Sequence, residues 1–158
     1  MSKTEIDIPG WGSIDIKNIV IDLDGTLATD GKIVPEVKEK IGALSKLAKI
    51  YILTASLQGP ADEEISGMKA ELIKVSNEDS KQGKFDFLKT LDLEMTAAIG
   101  NGSNDQLILK EAALGIAVLG EEGLSASAIK SADIVVKNIQ NALELFLKPR
   151  RLITLLGE

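Results

Sequence analysis

Ile19-Val20-Ile21-Asp22-Leu23-Asp24-Gly25-Thr26 is the stretch on which the fold turns. Three β-branched residues form an unbroken run that ends at an aspartate. A second aspartate follows two positions later, with a glycine and a threonine behind it. A continuous apolar run, rather than an alternating one, suits a strand buried on both faces of a parallel sheet. The acids at its end then fall where open α/β sheets bind ligands, beyond the carboxyl ends of the strands.

The pattern repeats outward. Ile50-Tyr51-Ile52-Leu53, Leu72-Ile73-Lys74-Val75, Ala97-Ala98-Ile99, Gly115-Ile116-Ala117-Val118 and Ile134-Val135-Val136 are further short apolar runs. Amphipathic stretches lie between them. Over 35–48, Val37, Ile41, Leu44 and Ala48 share one helical face, with Pro35 in the first turn. The spacing predicts further helices over 61–68, 83–91, 105–113, 125–131 and 139–147. A final amphipathic turn after Pro149 carries Leu152, Ile153, Leu155 and Leu156. Strand–helix alternation of this kind predicts an α/β fold, a doubly wound, Rossmann-like parallel sheet with right-handed crossovers. At the start, Ile6, Ile8, Ile14 and Ile16 alternate with polar residues around Pro9-Gly10-Trp11-Gly12. That predicts an N-terminal β-hairpin adding antiparallel strands beside the main sheet. The length of 158 residues fits one domain over 1–158.

Composition narrows the chemistry. There is no cysteine and no histidine. Disulfides, thiolate or imidazole metal sites, cysteine nucleophiles and Ser-His-Asp triads are excluded. Carboxylates, hydroxyls, lysines and amides remain. The net charge of −6 and the five aromatic residues argue against a nucleic-acid partner. No run approaches a membrane span, and MSKTEIDIPG lacks the apolar core of a signal peptide. The expectation is a cytoplasmic protein with no membrane partner.

The residues after each strand make a constellation. Asp22 and Asp24 follow the first run, and Thr54-Ala55-Ser56 follows the second. Lys81 and Lys84 stand at a helix start after the third. Gly100-Asn101-Gly102-Ser103-Asn104-Asp105 follows the fourth. Hard oxygen ligands favour Mg²⁺, and a carboxylate can act as a nucleophile. A lysine and a threonine can neutralise and hold a phosphoryl group. Lys84 shares a helical face with Phe87, Leu88 and Leu91, which favours it over Lys81 as the lysine of the site.

These motifs, in this order, resemble the haloacid dehalogenase superfamily over residues 19–136. Gly100 to Asp105, continuing into Leu114-Gly115-Ile116-Ala117-Val118, and Ala132-Asp133-Ile134-Val135-Val136 resemble the phosphorylation domain of P-type ATPases. The Ile-Pro-Gly turn at 8–10 and Pro149-Arg150-Arg151-Leu152 are similar to small soluble P-type-ATPase-like phosphatases. The resemblance implies a Mg²⁺-dependent phosphatase working through an aspartyl-phosphate. Asp22 would be the nucleophile and a metal ligand. Asp24 would be general acid and then base, with its carbonyl on the metal. Thr54, Ala55, Lys84 and Asn104 would bind the phosphoryl group, and Asn101 and Asp105 would complete the metal site.

Two positions stand apart. P-type ATPases carry threonine where this chain has Asp24, and an aspartate there can activate water, so turnover is expected. Related phosphatases carry aspartate where this chain has Asn101. A neutral amide implies weaker metal binding and modest activity. Asn101→Asp is expected to fit without repacking and to strengthen the metal site.

Two rivals remain. A receiver domain also uses acids, a threonine and a lysine, but in another order. A weakly active phosphate-binding or regulatory module is the alternative that Asn101 supports. Residues 23–53 and 55–83 leave no room for a cap domain, so an open, capless site is expected. Its partner would be a phosphorylated small molecule or a phosphoryl group exposed on a larger partner. A lid borrowed from a second subunit would make the chain a homo-oligomer.

Overall fold

In a computed structural model, residues 5–55 and 61–158 are described. Six strands form one parallel sheet in the order β5-β4-β3-β6-β7-β8. They are β3 (Asn18–Asp22), β4 (Lys49–Thr54), β5 (Glu71–Lys74), β6 (Thr96–Gly100), β7 (Leu114–Val118) and β8 (Ile134–Val136). The quoted stretch supplies the centre, since β3 pairs with β4 on one side and β6 on the other. The chain winds outward from β3 through β4 to β5, then returns to place β6 against β3. The carboxyl ends of β3 and β6 therefore flank the point where the strand order reverses, the crevice in which such sheets bind ligands.

Alternate residues of the unbroken apolar runs point to opposite faces. Ile19, Ile21, Ile50, Ile52, Ala97 and Ile99 pack on one side with α1 (Pro35–Leu44) and α6 (Ile139–Leu147), through Val37, Ile41, Leu44, Leu143 and Leu145. Val20, Leu53 and Ala98 pack on the other, against α3 (Ser80–Leu88), α4 (Gln106–Glu111) and α5 (Ala126–Ser131), through Leu88, Ile108, Leu109 and Ala128. Each fully buried Leu or Ile adds roughly 1.5–3 kcal/mol. These two layers hold the strand ends rigidly. Gly115 is dictated by this packing, because a Cβ there would lie 2.0 Å from the Leu109 carbonyl oxygen.

Besides two helices that end earlier than predicted, at Leu44 rather than 48 and at Ile65 rather than 68, three elements differ in detail from the sequence reading. The hairpin, β1 (Glu5–Ile8) with β2 (Gly12–Asp15), forms a two-stranded antiparallel sheet of its own. Ile8, Ile14 and Ile16 are buried and dock it on the α1/α6 side. Second, α3 starts at Ser80, three residues before the predicted start. Asp79 caps it, its carboxylate accepting a hydrogen bond from the Gln82 amide. Third, α7 (Arg150–Leu156) buries Leu152 but leaves Leu155 exposed. The short helix α2 (Ala61–Ile65) precedes β5. Between Asp22 and Thr54 the chain forms a loop and α1. Among the described residues, no further unit is inserted there or before Lys84.

Candidate active site

Asp22 is the last residue of β3 and is only 3% exposed. Lys84, in the second turn of α3, is buried beneath it. The Lys84 ammonium donates to Asp22 Oδ1 at 2.7 Å and to Asp105 Oδ1 at 2.8 Å. Asp105 is also fully buried. Its Oδ2 accepts the main-chain amides of Asn101 at 2.9 Å and Gly102 at 3.0 Å. Gly100 makes this tuck feasible, since a Cβ there would come within 2.5 Å of the Asp105 carboxyl group. Asp105 thus closes the loop after β6 and holds the lysine at once.

One ammonium between two buried carboxylates leaves an excess negative charge. Burial, reinforced by Asp105, pushes the Asp22 carboxyl up to about 8, against the pull of Lys84 and Thr26. Burial also works against the Lys84 charge, but Asp22 and Asp105 outweigh it and hold the ammonium above its ordinary value. The cluster is short of positive charge.

Asp24 stands two residues beyond Asp22 and is exposed. Its Oδ2 accepts a 2.7 Å hydrogen bond from the Thr54 hydroxyl at the end of β4. A buried carboxylate and an exposed one therefore share a single crevice. Asn101, after β6, faces the same loop. Its Oδ1 accepts from the Thr26 hydroxyl at 2.9 Å, and the same hydroxyl lies 3.0 Å from Asp22 Oδ2. Its Nδ2 donates to the Gly25 carbonyl at 3.1 Å and to the Gly123 carbonyl at 3.5 Å.

The structure thus brings together Asp22, Lys84 and Asp105, sets Asp24 beside Thr54, and joins Asn101 to Asp22 through Thr26. Lys81 points elsewhere, to Gln106 at 3.2 Å. Asn104 turns to Ser80 at the start of α3, 3.1 Å away. Ala55 follows β4 and is half-buried, while Ser56 lies outside the described residues. Sequence reasoning passed over Thr26 as a link between Asp22 and Asn101, although the residue sat inside the quoted motif. It also passed over the turn from Gly120 to Gly123. Two glycines around Glu121-Glu122 were the available signal there.

The expectation that Asn101→Asp needs no repacking does not survive this geometry. The amide nitrogen faces two carbonyl oxygens, and a carboxylate oxygen in its place would meet them as acceptor against acceptor.

The donor set suits a hard divalent cation. Among the described residues, no three acidic side chains converge to hold a metal. An ion here would rely on the Asp22 carboxylate together with neutral oxygens such as the Asp24 carbonyl and Asn101 Oδ1. Oxygen donors and the unbalanced negative charge of Asp22 and Asp105 match Mg²⁺, which takes few protein ligands and keeps waters.

No protein-family model matches the chain. A soluble P-type ATPase-like phosphatase of Methanocaldococcus jannaschii is 30% identical over 142 residues, covering 86% of this chain and 51% of that protein. An uncharacterized protein of the same organism is 58% identical over 55 residues, 35% of this chain and 59% of that one. The chain thus spans about half the length of these curated relatives. Among solved structures, a 3-deoxy-D-manno-octulosonate 8-phosphate phosphatase of Moraxella catarrhalis, in complex with magnesium, phosphate and KDO, superposes with a TM-score of 0.65. It is 21% identical and covers 88% of this chain and 90% of its own. The cobalt-bound deoxy-D-mannose-octulosonate 8-phosphate phosphatase of Haemophilus influenzae gives 0.68, at 17% identity, over 90% of this chain and 94% of its own. These structures share the fold. The chain is thus similar over most of its length to a soluble P-type ATPase-like phosphatase and has the fold of these solved phosphatases.

Proposed function

We propose that the chain is a Mg²⁺-dependent phosphatase that hydrolyses phosphate monoesters through an aspartyl-phosphate on Asp22. One observation carries the reading. A buried carboxylate at the end of a central strand is gripped by a buried lysine, and an exposed carboxylate stands two residues on, beside a threonine.

In the first step an Asp22 oxygen attacks phosphorus and the bond to the ester oxygen breaks. Asp24 gives its proton to the departing alkoxide. In the second step Asp24, now a carboxylate, takes a proton from water as that water attacks phosphorus. The bond from phosphorus to Asp22 breaks, inorganic phosphate leaves and both acids are restored. Lys84 offsets the charge on the phosphoryl oxygens, and Thr54 and the Ala55 main chain would line its seat, with Asn104 at its edge. The Thr54 hydroxyl orients Asp24. Mg²⁺ would be held by the Asp22 carboxylate, the Asp24 carbonyl and Asn101 Oδ1, with Asp105, whose oxygens serve Lys84 and two main-chain amides, holding that side of the site from behind. Bound there, it would supply the positive charge this cluster lacks and favour ionised Asp22.

The absence of an inserted unit among the described residues supports an open site. Its substrate is then a phosphorylated small molecule or a phosphoryl group on a larger partner. Asn101 alone favours the second reading, a weakly active phosphate-binding or regulatory module.

The test is hydrolysis of p-nitrophenyl phosphate with Mg²⁺ or with chelator, by the wild type and by Asp22→Asn. The reading expects turnover only with Mg²⁺, and a loss of at least about 10²-fold in the variant. Wild-type turnover by Asp22→Asn would overturn it. No turnover by either protein would favour the module.

A further inference from the structure

Asn101 uses every polar atom it has. Its main-chain amide donates to Asp105 Oδ2, and its carbonyl accepts from the Ser125 amide at 2.8 Å. Its Oδ1 accepts from Thr26, and its Nδ2 reaches the carbonyls of Gly25 and Gly123. Three separate segments meet on one side chain: the loop that follows the nucleophile, the loop after β6, and the turn from Gly120 to Gly123. Other contacts tie the first and third. Glu122 Oε2 accepts the Asp30 amide at 3.2 Å. Gly25 has a φ of +81°, and a Cβ on it would come 3.0 Å from Asn101 Nδ2 and 3.3 Å from Glu122 Oε1. The loop therefore passes close to the amide, in a left-handed backbone conformation that favours glycine.

From this we infer that Asn101 is a positioning residue, a clamp that fixes the Asp22–Thr26 loop to the Gly120–Gly123 turn. The inference rests on the phosphatase reading only for what the clamp serves. The chemistry requires an amide. One end must donate to two carbonyls while the other accepts from Thr26, whose hydroxyl also touches Asp22. A carboxylate can accept from Thr26 but has no hydrogen for Gly25 or Gly123. It would lose both contacts and set a charge against two carbonyl oxygens. The carboxamide thus keeps its oxygen on Thr26 while its nitrogen holds the surrounding backbone, which a carboxylate at this position could not do.

The test compares Asn101→Ala and Asn101→Asp with the wild type, first in chelator and without substrate. Hydrogen exchange should quicken about tenfold at the amides of Gly25, Ala28, Gly123 and Ser125 in both variants, with protection of β3 and β6 unchanged. Melting should fall by about 2–4 °C in Asn101→Ala. It should fall further in Asn101→Asp, since repulsion adds to the lost bonds. With p-nitrophenyl phosphate and saturating Mg²⁺, Asn101→Ala should lower kcat about tenfold and leave KM nearly unchanged, and the loss should persist as Mg²⁺ is raised further, the signature of a misplaced nucleophile rather than of lost substrate or metal contacts. Wild-type exchange in both variants, a melt of Asn101→Asp at or above that of the wild type, or an unchanged kcat in Asn101→Ala would each overturn the clamp. Should the wild type hydrolyse nothing, the phosphatase reading fails by itself, and exchange and melting alone decide the clamp.

Discussion

Lys84 and Arg151 each hold a carboxylate at 2.7 Å, and the two acids respond in opposite directions. On the surface, the hydrogen bond from Arg151 holds the Glu144 carboxyl below its usual range. In the crevice, burial lifts Asp22 to about 8 although its bridge to lysine is just as short. The difference lies in the surroundings. Water screens the outer pair and solvates whatever is left unpaired. The inner pair is cut off from water, and a second carboxylate, Asp105, claims the same ammonium. Bridge length therefore says little about what an ion pair does. Burial, and the count of charges sharing it, decide whether it is an ornament of the surface or a poised site.

The largest effect expected from this contrast is that of Lys84→Ala. It strands two buried carboxylates, and breaking a buried ion pair from one side typically costs about 3–5 kcal/mol. Denaturant unfolding in chelator should show a loss of that order. Phosphate-ester hydrolysis should fall by roughly 10²-fold or more. A variant as stable as the wild type would mean that water reaches the cluster.

A smaller effect sharpens the comparison through pH. The Asp22 carboxyl is raised from 3.8 to about 8 by burial first and Asp105 second. The folded chain then keeps a proton that the unfolded chain gives up above pH 4. The stability this confers is fully present below the unfolded value and is lost as pH rises through 8. Without metal, stability should fall between pH 5 and pH 8 by at most about 1.4 kcal/mol per pH unit. Asp22→Asn should flatten that slope. Equal slopes in the two proteins would remove Asp22 as the titrating group. The surface arm carries the smallest change. Arg151→Ala should leave the denaturation midpoint in place, and a clear drop would show that the outer bridge is more than a solvated pair.

Much of this arrangement was readable before any coordinates, and the reasons are specific. The unbroken run at 19–21 can be satisfied only by a strand covered on both faces, and the acids behind it then fall at the sheet edge. The apolar face through Phe87, Leu88 and Leu91 carries Lys84 inward, while Lys81 ends at Gln106. What escaped reading depends on contacts between distant residues. The start of α3 rests on the Asp79 cap, which an apolar period does not register. The hairpin alternates as a sheet strand should, but alternation does not say whether it joins the main sheet. Thr26 and the Gly120–Gly123 turn meet Asn101 across 75 and 22 residues of chain. No local pattern encodes which end of an amide faces a hydroxyl. The raised Asp22 carboxyl likewise follows from burial and from Asp105, both set by the packed fold.

The central claim, that the buried acid rather than the exposed one takes the phosphoryl group, has a direct test. Asp24→Asn should still accept a phosphoryl group but hydrolyse it slowly, because no carboxylate remains to activate water. The variant is incubated with p-nitrophenyl phosphate and Mg²⁺, quenched in acid, digested and mapped by mass spectrometry. The account predicts one phosphoryl group, labile to hydroxylamine, on the peptide containing Asp22, and none when Asp22→Asn is added. A phosphoryl group on any other residue, or steady hydrolysis by the doubly substituted chain, would contradict it.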